Sequence, residues 1–112
     1  MSKHHLGEFE EIVMLNVAIL HGKAYGIAII DEMESRLNRK VSIGSLQTVL
    51  RRLEKKGYLE SEFGEATKQR GGKRKRFFTV TNFGQQVLEE AKDQRLALWN
   101  AIPSIAFTNP SS

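Results

Sequence analysis

The sequence predicts an α+β fold that is mainly helical, with three helices, a two-stranded hairpin and one last long helix. Two observations lead to this prediction. Apolar residues recur at helical spacing in four separate stretches of the 112-residue chain. Two short segments of strand-like composition flank a pair of glycines in its second half. A chain of this length favours one domain with one modest core.

The first two predicted helices are amphipathic and are separated by a glycine-containing turn. Residues 6–20 place Phe9, Val13 and other apolar side chains on one face. Gly22 follows at a position suited to the left-handed conformation that often ends a helix. Residues 25–37 repeat the pattern, with isoleucines and a methionine on one side and acidic residues on the other.

A third helix follows after a short polar turn, in which Val41 is expected to form a strand of one or two residues. Ser42 is a good N-cap because its hydroxyl can accept a backbone hydrogen bond. Apolar residues then recur at i, i+3, i+4 and i+7, which indicates a helix with one buried side. These residues are Leu46, Val49, Leu50 and Leu53. Gly57 is expected to cap its C-terminal end.

A hairpin and a long helix complete the predicted order. Residues 58–63 and 77–80 are the two strands, and the segment between them includes Lys-Gln-Arg-Gly-Gly-Lys-Arg-Lys-Arg at residues 68–76. Thr81 is the expected N-cap of the last helix, and Pro103 is expected to end it. Residues 104–112 are predicted to be a flexible tail.

The basic run between the strands is the most informative feature for function. The formal net charge of the chain is only +4, so the clustering of cations matters more than their total. A cationic hairpin tip suits a polyanion, of which DNA is the commonest. The alternative is a solvated loop that binds nothing in particular.

The order helix, helix, turn, helix and hairpin predicts a winged helix-turn-helix domain over residues 6–81. Short polar side chains near the start of its third helix suit base edges in the major groove, and the cations suit phosphates. Each could instead belong to a solvated helix face. The predicted DNA-contacting residues are Ser42, Ser45, Gln47, Thr48, Arg51, Arg52 and Lys55 on the helix, and Lys68, Arg70, Lys73, Arg74, Lys75 and Arg76 on the wing.

The last helix, over residues 82–103, has more apolar residues than a winged-helix domain needs, so we expect it to pair with a second subunit. Alternatively, it folds back on its own domain. The predicted interface residues are Leu6, Phe9, Val13, Leu88, Ala91, Leu98, Trp99 and Ile102. Near such an interface Trp99, Leu96 and Leu6 are candidates for a site that binds a planar aromatic effector. Alternatively, Trp99 is simply an anchor of the interface.

Six short segments occur in a characteristic order along residues 6–88. They are Leu-Gly-Glu-Phe-Glu-Glu (6–11), Ala-Tyr-Gly-Ile (24–27), Val-Ser-Ile-Gly (41–44), Leu-Arg-Arg-Leu-Glu-Lys-Lys-Gly-Tyr-Leu (50–59), Arg-Gly-Gly-Lys-Arg-Lys-Arg-Phe-Phe (70–78) and Thr-Asn-Phe-Gly (81–84). In this order they resemble the PadR family of winged helix-turn-helix transcriptional regulators. The resemblance implies a dimeric, usually repressing protein that binds a two-fold symmetric DNA operator. This chain has Gln47 where the family commonly has tyrosine, so operator preference does not carry over.

Other function classes have little support in the sequence. The chain has no cysteine and three histidines, His4, His5 and His21, whose spacing fits no zinc site, so we expect no metal and no cofactor. Neither a nucleophile motif nor a phosphate-binding loop is present, so we expect no enzyme. Without a signal peptide or a membrane-spanning stretch, we expect a cytoplasmic protein. A winged helix that binds RNA or another protein is the alternative function.

Overall fold

The computed structural model describes residues 5–64 and 74–107, and over these ranges it confirms the mainly helical α+β prediction. Two strands form one antiparallel sheet, in which Leu59 pairs with Val80 and Phe63 with Arg76. In the described part of the chain, no helix has both the length and the apolar character needed to cross a bilayer. The elements are α1 (Glu8–Ile19), α2 (Gly26–Leu37), α3 (Ile43–Lys55), β1 (Leu59–Phe63), β2 (Arg76–Val80), α4 (Asn82–Ala101) and a 3-10 helix (Ser104–Phe107).

The core lies between α1, α2, α3 and the sheet. All four apolar residues that the sequence places on the inner side of α3 are buried, so that prediction is confirmed: Leu46, Val49, Leu50 and Leu53. Val13 is fully buried beside them. Its expected place in a subunit interface is therefore wrong, because its side chain is already used within the protomer core.

Side-chain caps and glycines set the ends of the helices, as the sequence predicts. The Ser42 hydroxyl accepts a hydrogen bond from the Ser45 amide at 3.1 Å, and the Thr81 hydroxyl accepts one from the Gly84 amide at 2.9 Å. Gly57 follows α3 with a φ of 84°, a conformation that side chains with a Cβ rarely adopt. These caps fix where α3 and α4 begin and where the chain turns into the sheet.

Val41 is not in a strand, and this expectation is wrong. It lies in the irregular link between α2 and α3, packed against the core. Meanwhile, the Phe78 amide on the open edge of β2 donates a hydrogen bond to the Ala24 carbonyl at 2.8 Å. The link between α1 and α2 thus occupies a position at which a third strand would pair.

Gly84 permits a very close approach between α4 and the start of the hairpin. A Cβ built on Gly84 would lie 2.2 Å from the Tyr58 carbonyl oxygen. The Thr81 amide donates to that same carbonyl at 3.0 Å, and the Thr81 hydroxyl donates to the Gly57 carbonyl at 2.6 Å. The first turn of α4 is therefore held against the end of α3 and the start of β1.

The second half of α4 extends away from the core, with every side chain from residue 92 to residue 101 exposed. Beyond Pro103 the chain forms the 3-10 helix Ser104–Phe107, where the sequence predicts a flexible tail. The rings of Trp99 and Phe107 lie 6.0 Å apart between centroids, and this contact places the short helix against α4. Residues 108–112 of the predicted tail lie outside the described residues.

Candidate nucleic-acid interface

The outer side of α3 presents every residue that the sequence predicts there to solvent. Gln47, Thr48, Arg51 and Lys55 are exposed, as are Ser42, Ser45 and Arg52. The Thr48 hydroxyl donates to the Gly44 carbonyl at 3.0 Å, and that of Ser42 donates to the Ser45 hydroxyl at 2.9 Å. These bonds fix the rotamers of the short side chains at the start of the helix.

A cleft of about 420 Å³ separates α3 from the base of the hairpin. Gln47 and Arg51 line it from α3, and Arg74 and Lys75 line it from the hairpin. The cleft therefore brings Gln47 and Arg51 of α3 close to Arg74 and Lys75 at the base of the hairpin. Lys68, Arg70 and Lys73 of the predicted set lie outside the described residues.

The start of α2 also lines this cleft, which the sequence analysis did not predict. Tyr25, Gly26 and Ile27 form that wall. The Lys75 ammonium lies 4.1 Å from the centre of the Tyr25 ring, and Phe77 meets the same ring edge to face at 5.7 Å. The available signal was the segment Ala-Tyr-Gly-Ile, in which an aromatic residue stands just before the predicted second helix rather than on its apolar face.

Two of the predicted DNA-contacting cations are held by carboxylates of the same protomer. Arg52 donates to Glu10 at 3.1 Å, and Lys56 donates to the same carboxylate oxygen at 3.1 Å. Arg76 donates to Glu54 at 3.2 Å. Among residues 5–64 and 74–107, Arg51, Lys55 and Arg74 form no ion pair, so their charges face solvent.

Glu10 is a nearly buried acid that joins α1 to the end of α3. Burial by itself raises the pKa of this carboxyl, but hydrogen bonds from the Gly7 amide, Lys56 and Arg52, together with the Lys56 charge, outweigh burial. The pKa of Glu10 is therefore held below its ordinary value. Glu10 remains ionised near neutral pH and positions the last turn of α3 through two cations.

A sequence model described as the transcriptional regulator PadR-like family matches residues 14–90, which include α2, α3 and both strands of the hairpin. The chain belongs to the PadR family.

Solved PadR-family proteins share its fold over most of their length. A PadR-like transcription factor from Bacteroides fragilis is 27% identical, with a TM-score of 0.72 over 88% of this chain and 89% of that one. A PadR family transcriptional regulator from Eggerthella lenta is 28% identical, with a TM-score of 0.69 over 91% and 88%. An uncharacterised protein from Lysinibacillus sphaericus is 34% identical over 86 residues, or 75% of this chain and 74% of its own.

This PadR-family chain has a second exposed surface on α4. Leu98 and Trp99 are 70% and 63% exposed, and Leu96 is half exposed. Leu88, Ala91 and Ile102 of the predicted interface are half-buried, as are Leu6 and Phe9 near α1. A carboxylate oxygen of Glu11 on α1 lies 2.7 Å from the Arg95 guanidinium and ties the middle of α4 to α1.

Within the described part of one protomer, the cavity beside Leu6 includes neither of the other two residues predicted for an effector site, Leu96 and Trp99. Leu6 lines a space of about 200 Å³ with Ala91 and Leu98, and Trp99 is not among the lining residues. Trp99 instead packs against Phe107. The sequence did not predict this contact, because Phe107 lies in the segment predicted to be a flexible tail.

Proposed function

We propose that this PadR-family chain is a sequence-specific transcriptional repressor that acts as a homodimer in the cytoplasm. In this proposal α3 enters the major groove, and the basic wing follows the backbone into the adjacent minor groove. The observation that carries the proposal is the cleft, in which the polar side of α3 and the base of the hairpin face the same space.

The exposed side chains of α3 and of the base of the hairpin divide between base reading and phosphate binding. Gln47 is exposed near the start of α3 and can pair with adenine through two hydrogen bonds. Thr48 can accept a hydrogen bond, since its own proton is already donated to Gly44. Arg51, Lys55 and Arg74 have exposed charges and suit phosphates, which position a protein without reading sequence. Ser42 and Ser45 lie beside Thr48 at the start of α3.

The proposed dimer uses the outer part of α4. Two large apolar side chains there, Leu98 and Trp99, remain mostly exposed in the protomer, which favours a partner surface. Two-fold pairing would place two copies of α3 about 34 Å apart, one turn of DNA. The proposed interface residues are Leu6, Phe9, Leu88, Ala91, Leu98, Trp99 and Ile102.

A planar aromatic effector is proposed to bind beside Trp99 and Leu96, with Leu6 contributing once two subunits meet. The tilted contact between Trp99 and Phe107 leaves most of the indole exposed for stacking. Titration of planar cationic dyes should quench the fluorescence of Trp99, the single tryptophan, and should saturate. A response that rises linearly without saturation would remove the effector site from the proposal.

Selection of bound duplexes from a random pool tests the proposed function. We expect an enriched palindrome whose half-site centres lie about one helical turn apart. Enrichment of no duplex motif, with equal or tighter binding to single-stranded or structured RNA, would contradict the proposal and favour an RNA-binding module. A protein-interaction module would instead bind neither nucleic acid.

A further inference from the structure

One carboxylate on α3, the proposed recognition helix, accepts hydrogen bonds from both strands of the wing (β1 and β2). Glu54, in the last turn of α3, accepts a hydrogen bond from the Ser61 hydroxyl of β1 at 2.6 Å. Arg76 of β2 donates to both oxygens of the same carboxylate, at 3.2 and 3.4 Å. Arg76 also donates through Nε to the Ser61 hydroxyl oxygen at 2.7 Å. The three polar groups form a closed ring of hydrogen bonds.

The guanidinium of Arg76 also lies close to two aromatic rings. It lies 5.2 Å from the centre of the Phe63 ring and 5.9 Å from that of Phe78. Phe63 is the cross-strand partner of Arg76, and Phe78 is the partner of Ser61, so the contacts span both strands. A planar guanidinium loses little freedom when its hydrogen bonds and its face are used together. Arg76 is therefore already engaged in several directions within the protomer.

We propose that Glu54, Ser61 and Arg76 are a latch that sets the angle between the recognition helix and the wing. This inference rests on the proposed function, in which both elements contact one duplex. Glu54 and Arg76 line the cleft between those elements, so their bond fixes its width. Arg76 is then a positioning residue and not a phosphate contact, although its charge and location suggest the latter.

The two alternative roles of Arg76 predict opposite effects of Glu54→Gln on the affinity for DNA. If Arg76 binds phosphate, Glu54 competes with DNA for it, and Glu54→Gln strengthens binding to any duplex by removing a negative charge. If the latch positions the wing, Glu54→Gln weakens binding to the operator, because the wing loses its fixed angle. Loose, sequence-independent binding does not need that angle.

The test measures affinity for a selected operator and for a random duplex at one salt concentration. Glu54→Gln and Arg76→Gln should each lower the ratio of operator to random affinity by about fivefold, a coupling typical of contacting residues. The double variant should lower this ratio no more than either single variant does. Both side chains are partly exposed, so the variants should remain folded, which circular dichroism checks.

Two matched variants control for charge alone. Arg74→Gln removes the same charge at an exposed position two residues from Arg76, and it should weaken binding to both duplexes alike. Glu62→Gln removes an acid at an exposed position on β1 and should leave the ratio unchanged.

The outcomes separate the latch from the proposed function. If Glu54→Gln binds both duplexes more tightly and Arg76→Gln behaves like Arg74→Gln, the latch is overturned while the proposed function stands. Additive losses in the double variant would also overturn the latch, because partners in one contact cannot be lost twice. A wild-type chain that prefers no duplex over any other would overturn both.

Discussion

Gln47 is the side chain that we expect to contribute most to recognition of the DNA sequence. It is exposed on α3, lines the cleft and can form two hydrogen bonds with one base. Gln47→Ala should therefore cost about 1–3 kcal/mol on the operator and little on random DNA. Gln86→Ala, an exposed position on α4, is the matched control. Equal losses on both duplexes, measured by fluorescence anisotropy, would show that Gln47 does not read bases.

Glu10 makes the free energy of unfolding depend on pH in the acid range. Its pKa is lowered in the folded state, so its stabilising contribution is complete above the ordinary glutamate value of about 4.3. The contribution is lost as pH falls through the lowered pKa of the folded state. Glu10→Gln should reduce the free energy of unfolding by about 1–3 kcal/mol at pH 7, and the deficit should shrink below about pH 4.

Urea unfolding between pH 3 and pH 7 measures this dependence. Glu60→Gln makes the same change at an exposed position on β1 and serves as the control. A deficit for Glu10→Gln that stays constant across the whole range would rule out the ionised carboxylate as its cause.

At the residue scale the sequence predicts which cations are exposed on α3, but it does not predict which of them are paired. Arg52 meets a carboxylate 42 positions away, and Arg76 meets one 22 positions away. Such pairs form only when the elements pack together, so the local sequence pattern does not indicate them. Glu54 likewise bonds to Ser61 and Arg76 of the two strands, and these contacts depend on the fold.

At the element scale, Gly84 decides how α4 joins the domain. Gly84→Ala would force a Cβ against the Tyr58 carbonyl, so the helix would have to move. We expect a loss of about 3 kcal/mol in the free energy of unfolding. Gly44→Ala is a sharp control, because a Cβ on Gly44 of α3 meets no atom within 4 Å. It should change stability little, or raise it by up to about 1 kcal/mol.

Urea unfolding at neutral pH compares these two alanine variants directly. Similar stability for Gly84→Ala and Gly44→Ala would contradict the close approach between α4 and the start of β1.

The elements themselves were predictable because their signals are local. The i, i+3, i+4, i+7 spacing of α3 and the caps at Ser42 and Thr81 lie within single segments. The strand expected at Val41 was wrong, because a strand needs a partner edge and Ala24 already bonds to β2. The 3-10 helix after Pro103 was missed, because its contact with Trp99 exists only once the chain has turned.

At the scale of the whole molecule, α4 provides the surface proposed for assembly. If the chain pairs as proposed, Leu98→Glu should leave it monomeric and weaken operator binding by about tenfold or more, since each protomer would then bind its half-site alone. Ile27→Glu adds the same charge at an exposed apolar residue in the cleft, and it should leave assembly unchanged while DNA binding is lost. Sedimentation velocity distinguishes the two variants. A wild-type chain that sediments as a monomer, free and on DNA, would contradict the proposed assembly.

The sequence indicates this surface through an excess of apolar residues but does not indicate its extent. Val13 has the same periodicity as interface candidates on α1, yet it is fully buried in the protomer. Periodicity shows that one side of a helix is apolar, and it cannot separate a side covered by the same chain from one covered by a partner.

The most direct test of the account is an NMR titration of the labelled protein with the selected duplex. We expect chemical-shift changes at the amides around Gln47 and Arg51 on α3, at Arg74 beside the wing and at the start of α2. Amides near Leu98 on α4 should move little. Shifts concentrated on α4, with α3 and the base of the wing unperturbed, would show that the cleft is not the DNA-binding surface.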